Sequence, residues 1–325
     1  MKKRRRNRMQ WVHPINLKRN ESGAFHVLFQ ELRNDPIKFY NYFRMSISTF
    51  DELHGRLKDS LQRHNTFFRE CIQPTQMLVV AIRYLASGCT FTDLHYSYRL
   101  GISIISKIVK DLCKCIWSLY RDCIPVPTKA QWESIAQNFE RKANFPHCIG
   151  AVDGKHIRIV NPSNSMYFNY KGFSSVVLMA VAVSDYRFIY VDVGSYGKDC
   201  DSNIFKAMWK SIVNKELEIP EEKCLSGTTG TKVPYFIVGD EAFALHRPLL
   251  RPYGGNNLTV AKRIFNYQLE GTYVECAFGI LSNKWRIFHR PLNLHPDYAV
   301  DIVKACVVLH KAHFTLVRQP SLRHR

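Results

Sequence analysis

The feature that most constrains the fold is a change of period near residue 145. From about Asn20 to Asn144 the apolar residues recur at helical spacing, and strand-like runs come only after that point. A helical region therefore precedes an α/β one. With 325 residues, 46% of them apolar, the chain can hold roughly two domains of about 150 residues, each with a sizeable core. Global disorder, a collagen-like fibre and a disulfide miniprotein are excluded on the same grounds. The boundaries read as a basic tail over 1–20, a helical domain over 21–144, a mixed domain over 145–318 and a short tail over 319–325.

Within the helical domain, residues 74–117 have a layout of their own. Pro74 opens a helix that turns Met77, Ala81, Tyr84 and Leu85 to one face and stops at Gly88. A shorter helix over Thr92–Leu100 ends at Gly101, and a third begins at Ser103 as N-cap. That third helix turns Ile104, Ile105, Ile108, Val109, Leu112 and Ile116 inward and Ser103, Ser106, Lys107, Lys110 and Lys114 outward. Two readings fit: a helix-turn-helix with Ser103, Lys107 and Lys110 toward DNA, or an ordinary three-helix packing unit with a solvated lysine face.

The second half alternates strands and helices. Cys148–Val152 is a short apolar run ending in Asp153-Gly154, with His156–Val160 alternating behind it. Ser174–Ser184 and Arg187–Val193 are β-rich runs, Asn203–Val213 is a helix, and Tyr235–Val238 is a buried strand ending at Gly239-Asp240. One helix is predicted over Phe265–Trp285 and another over Asp301–Val317. The pattern gives a mixed sheet flanked by helices.

Charge narrows the partner. Lys and Arg number 46 against 27 Asp and Glu, a formal +19, which favours a polyanion and nucleic acid first. The segment Met1–Arg8 is rich in Lys and Arg, yet 40 bases still face 27 acids without it. Such a tip reads as a nuclear-import signal or phosphate-binding arm, or as a solvated end. The longest nearly uncharged apolar stretch, Phe173–Val183, is too short to cross a bilayer as a helix, and no apolar segment follows the basic N-terminus. A soluble intracellular protein with no membrane partner is expected. None of the ten cysteines forms a C-x-x-C pair, so they are read as reduced and without structural zinc.

Three carboxylates stand out: Asp153 and Asp240 where strands stop, and Glu275 on a helix beside its apolar face. Clustered oxygen ligands are what hard Mg²⁺ or Mn²⁺ requires for phosphodiester cleavage. Asp201, ahead of a helix, is a fourth candidate. Each also fits a plainer role, since Asp153-Gly154 matches a hairpin turn, Asp240 a helix cap and Glu275 a solvated charge. Basic residues surround the acids, among them Lys155, Lys171, Arg263, Lys284 and Arg286, interleaved with Tyr167 and Tyr170. Such a mixture suits backbone phosphates and splayed bases, or forms a solvated rim. P-loop, serine-hydrolase, zinc-protease and dinucleotide motifs are absent.

Taken together, Ile149-Gly-Ala-Val-Asp153-Gly-Lys-His156-Ile, Asn169-Tyr-Lys-Gly-Phe-Ser, Val191-Asp-Val-Gly, Asp201-Ser-Asn-Ile-Phe, Val238-Gly-Asp240-Glu-Ala-Phe, Arg251-Pro-Tyr, Phe265-Asn-Tyr, Val274-Glu275-Cys-Ala-Phe-Gly and Trp285-Arg-Ile resemble the DDE nuclease domain of PIF/Harbinger transposases and the host nucleases derived from them. The resemblance covers about residues 145–312. It implies an RNase H-like fold, a catalytic triad of Asp153, Asp240 and Glu275, and Asp201 as a further metal ligand. It also implies divalent-metal-dependent cleavage of double-stranded DNA, with strand transfer in a transposase, and residence in the nucleus, shared or not with the cytoplasm. A Myb-like or MADF-like accessory protein and a synaptic homodimer are implied partners. The rival reading is a domesticated, non-cleaving DNA-binding or chromatin-associated regulator.

Overall fold

The computed structural model describes residues 12–65, 70–160, 162, 165–214, 216–225, 227, 229–243, 249–269 and 273–316. The basic tip over residues 1–8 and the tail over 319–325 lie outside the described residues. The chain divides into two compact units, Met1–Cys115 with Trp285–Ile287, and Ile116–Lys284 with Phe288–Arg325.

In the first unit, short helices α1 (Pro14–Leu17) and α2 (Arg19–Ser22) lead into α3 (Ala24–Arg33), α4 (Pro36–Phe43) and α5 (Ile47–Leu61). Their starts are written in the sequence: Asp35 accepts from the backbone N–H groups of Ile37 and Lys38, and Ser46 accepts from that of Thr49. Phe29, Phe39, Phe43 and Phe50 pack ring against ring at 4.7–6.3 Å between centroids. Next come α6 (Pro74–Ser87), α7 (Phe91–Tyr98) and α8 (Ile102–Ser118). Gly88 ends α6 in the left-handed region at φ 67°, and Thr90 and Asp93 form a capping box on α7.

Two caps differ from expectation. Helix α7 closes on Arg99 at φ 52°, ahead of Gly101. Ser103 lies inside the first turn of α8, because Gly101 supplies the carbonyl that accepts from Ile104 and Ile105. Ile105, Ile108, Val109, Leu112 and Ile116 are fully buried as expected, and Ser103, Lys107, Lys110 and Lys114 are exposed, but Ile104, expected inward, and Ser106, expected outward, are both half-buried at the boundary between the faces.

The second unit holds α9 (Tyr120–Cys123), α10 (Lys129–Ala143) and a five-stranded mixed sheet of order β3-β2-β1-β4-β5. Its strands are β1 (Cys148–Arg158), β2 (Ser175–Ala182), β3 (Phe188–Tyr196), β4 (Phe236–Val238) and β5 (Leu249–Leu250). β1 runs antiparallel to β2 and parallel to β4. This is an α/β architecture of RNase H-like type. All eight residues of β2 are buried, because helices cover both sheet faces. On one face Val152, Val177, Met179 and Val181 pack with Trp132 and Ala136 of α10 and with Ile204 and Phe205 of α11 (Asp201–Val213). Helices α13 (Tyr273–Lys284) and α14 (Pro296–Leu316) contact β2 as well, and Phe188 meets Phe278 at 5.8 Å.

The single helix expected over 265–285 is two, α12 (Val260–Leu269) and α13. Residues between them lie outside the described set. Asp153-Gly154 is not a hairpin turn, since β1 continues through it, pairing Asp153 with Ala180 and Gly154 with Met179. Cys71, Cys148, Cys200 and Cys224 stand outside any disulfide, and no helix among the described residues is long and apolar enough to cross a membrane.

Candidate active site

The site forms where one strand outlasts its neighbour. β4 pairs with β1 only from Cys148 to Ala151, so Asp153, expected at a strand end, sits mid-strand beside the place where β4 has stopped. The physical opening is the same, and the assignment of which strand ends is corrected. Asp240 follows β4 by two residues, and its Oδ1 accepts from the backbone N–H of Ala242 at 2.9 Å. It therefore holds a turn among the described residues, and no helix for it to cap begins there. Glu275 occupies the first turn of α13, where the helix dipole favours an anion.

These elements bring Asp153, Asp240 and Glu275 to the wall of one cavity of about 350 Å³, with Val152, Gly239 and Pro252 among the other lining residues. Asp201 is the first residue of α11 and lies on the opposite side of the strand backbone. Its carboxylate covers Gly154, and a Cβ there would collide with Asp201 Oδ1. Alternation along β1 puts Asp153 and Gly154 on opposite faces, so only a glycine lets the fourth acid come this close.

The proximity has an electrostatic consequence. Burial raises the Asp153 carboxyl to about 7; the Gly154 N–H that donates to its Oδ1 at 2.7 Å opposes this, and Asp240, Asp201 and Glu275 add to the rise. Asp201 is also raised, by burial and then by Asp240, with Lys171 pulling the other way. Burial lowers the Lys155 ammonium, which lies 5.7 Å from the centre of the Phe278 ring, and Asp153 partly offsets that shift.

The basic candidates part company. Lys171 and Arg263 are exposed in the second unit, and Arg286 is exposed. Lys284, expected to contact DNA, is buried and donates to the Leu309 carbonyl at 3.1 Å. Burial lowers its ammonium to about 7, so it is a packing residue of α13. Two contributors lie in the quoted segments without a role read for them. Ser202 Oγ donates to the Ala242 carbonyl at 2.6 Å, tying α11 to the Asp240 turn. Arg251 donates to the Glu241 and Phe243 carbonyls at 3.2 Å, which fixes the same turn from the other side.

Four carboxylates form an oxygen-only donor set, the chemistry that suits Mg²⁺ or Mn²⁺ and disfavours zinc or copper. Among the described residues, no three acidic, His or Cys side chains stand closed around a point that an ion would fill. The donor chemistry fits.

Residues 152–311 match a family described as DDE superfamily endonuclease. The chain is 27% identical to "Protein ALP1-like" of Arabidopsis thaliana, covering 85% of this chain and 70% of that protein. It is 25% identical to "Putative nuclease HARBI1" of Rattus norvegicus and 23% identical to the Bos taurus protein of that name, each over 84% of this chain and 76% of the relative. No solved structure matches the chain.

Proposed function

We propose that this chain, which belongs through residues 152–311 to the DDE superfamily endonucleases of the PIF/Harbinger type, is a divalent-metal-dependent endonuclease acting on duplex DNA. The observation that carries the reading is the single cavity lined by Asp153, Asp240 and Glu275, residues far apart in the chain. Asp153, Asp240 and Glu275 would hold the metal, with Asp201 behind Gly154 as a fourth carboxylate. Mg²⁺ or Mn²⁺ held there would supply an activated water and charge stabilisation for the departing 3′ oxygen.

The chain's own groups prepare this chemistry. Burial and the neighbouring acids hold the Asp153 carboxyl at about 7, so it is partly protonated near neutrality. Ser202 and Arg251 keep the Asp240 turn fixed. The formal +19 supports a DNA substrate and nuclear residence, and the accessory Myb-like or MADF-like protein and the synaptic homodimer belong to the same proposal. The rival reading is a DNA-binding protein that no longer cuts.

Nicking of duplex DNA in Mn²⁺ separates them. The nuclease reading predicts metal-dependent nicking that Asp153→Asn reduces on the order of 10³-fold or more. Equal nicking by that variant, or none by the wild-type chain with and without a Myb-like partner, contradicts it.

A further inference from the structure

Beside the acids lies a loop whose exposed aromatic ring the cavity does not use. At its tip Gly172 N–H donates to the Asn169 carbonyl at 3.1 Å and Asn169 N–H donates to the Phe173 carbonyl at 2.9 Å. Tyr170 and Lys171 are therefore the two corner residues of a tight turn, followed by Gly172 at φ 81°. Tyr170 is 82% exposed.

A tip of this kind is ordinarily loose, and here it is pinned. Asn169 is 3% exposed. Its Oδ1 accepts from the backbone N–H groups of Lys171 at 2.9 Å and Phe173 at 3.3 Å, and its Nδ2 donates to Ser175 Oγ at 2.9 Å. Ser175 Oγ in turn hydrogen-bonds His156 Nδ1 at 2.9 Å. A chain of side chains thus links the tip to β1, three residues past Asp153. On its other side, Lys198 N–H donates to the Met166 carbonyl at 3.1 Å, joining the loop to the segment that leads into Asp201.

The charges point the same way. The Lys171 ammonium lies 5.3 Å from the centre of the Tyr170 ring and acts on the Asp201 carboxyl. The Tyr170 ring stands edge-on to His156 at 5.6 Å. A flat apolar ring presented to water on a fixed turn, with a cation next to it that reaches the Asp201 carboxyl, is shaped for an anionic ligand that carries π-faces. A nucleotide has both parts.

Resting on the nuclease reading for the identity of the polymer, we infer that Tyr170 is a stacking platform for an unpaired base beside the cleaved phosphate. Lys171 grips the neighbouring phosphate, and Asn169 is the positioning residue that aims both. The preferred substrate is then a duplex opened locally near the cut, since a paired base keeps its faces inside the stack.

The test uses the full chain and two duplexes that differ only in a three-base unpaired segment carrying 2-aminopurine, with binding read in Ca²⁺. Wild-type chain binds the opened duplex on the order of 10-fold tighter and changes the 2-aminopurine emission. Tyr170→Ala abolishes both effects while Tyr170→Trp retains them. Lys171→Ala weakens both duplexes alike and lowers the salt slope by about one unit. Asn169→Ala loses the preference, and Asn169→Asp, which keeps both accepting bonds, recovers part of it. No preference in the wild type, or one unchanged in Tyr170→Ala, overturns the inference. The readout needs no cutting, so an intact preference in a chain that never nicks DNA rejects the nuclease reading and leaves the stacking site standing.

Discussion

The aspartates of the helical unit and those at the cavity of the sheet unit are in opposite electrostatic states, although the sheet unit also holds an ordinary pair, Asp185 with Arg187 at 2.9 Å. In the helical unit Asp51 takes a two-pronged bond from Arg33 at 2.7 and 2.9 Å, Asp111 receives Arg63 at 2.9 Å, and Asp35 and Asp93 cap helices. Hydrogen bonding holds Asp35 and Asp51 below the usual carboxylate range. In the sheet unit, Asp153 and Asp201 are raised by burial and by one another's neighbours, and no salt bridge engages them among the described residues. Acids of the first kind stabilise the fold. Acids of the second kind cost stability, and a fold keeps such a cluster where a cation or a reaction requires it.

The contrast is most sharply tested at Asp153 itself, where Asp153→Asn removes nicking as set out above. Gly154→Ala comes next. Its Cβ displaces the Asp201 carboxylate, and nicking should fall on the order of 10²-fold, since a shift of about 1 Å in a catalytic group has that effect. An unchanged rate would detach Asp201 from the site.

Stability gives the comparison a sign. Asp153 ionises at about 7 in the folded chain against an ordinary 3.8, so the folded state binds the proton more tightly. The stability it confers is present below about pH 4 and lost as pH rises through 7. Discounted for partial exposure, the loss is about 2 kcal/mol. In metal-free buffer at pH 8, Asp153→Asn should be about 2 kcal/mol more stable than wild type in urea unfolding, with a flatter profile between pH 4 and 7. The same exchange at Asp51 should go the other way by up to about 1 kcal/mol, because it breaks a half-exposed ion pair. Matching signs at the two positions would break the comparison.

Much of this was legible in the chain. The period change near 145, the buried face of α8 and the strand at Phe236–Val238 follow from local pattern. The acids stood out by residue type, and residues 152–311 carry the family signature. What failed was long-range. Asp153-Gly154 reads as a turn because the dipeptide favours one, yet pairing with Ala180 and Met179 holds it in a strand. Lys284 reads as a phosphate contact because lysine is usually exposed, but α13 turns its ammonium onto the Leu309 carbonyl. Ser103 reads as a cap by type, whereas backbone geometry starts the helix at Gly101. Ser202 and Arg251 stand in the quoted segments, but they bond to backbone carbonyls, and no side-chain pattern reveals that role.

The central claim is that Asp153, Asp240 and Glu275 jointly take a hard cation. Thermal unfolding at pH 7 across a Mn²⁺ titration tests it most directly, because a ligand held only by the folded chain stabilises by about 2.7 kcal/mol at 100 times its Kd. The account predicts a melting temperature that climbs with Mn²⁺ in the wild type and stays flat in Asp153→Asn. A climb of equal size in both would contradict it.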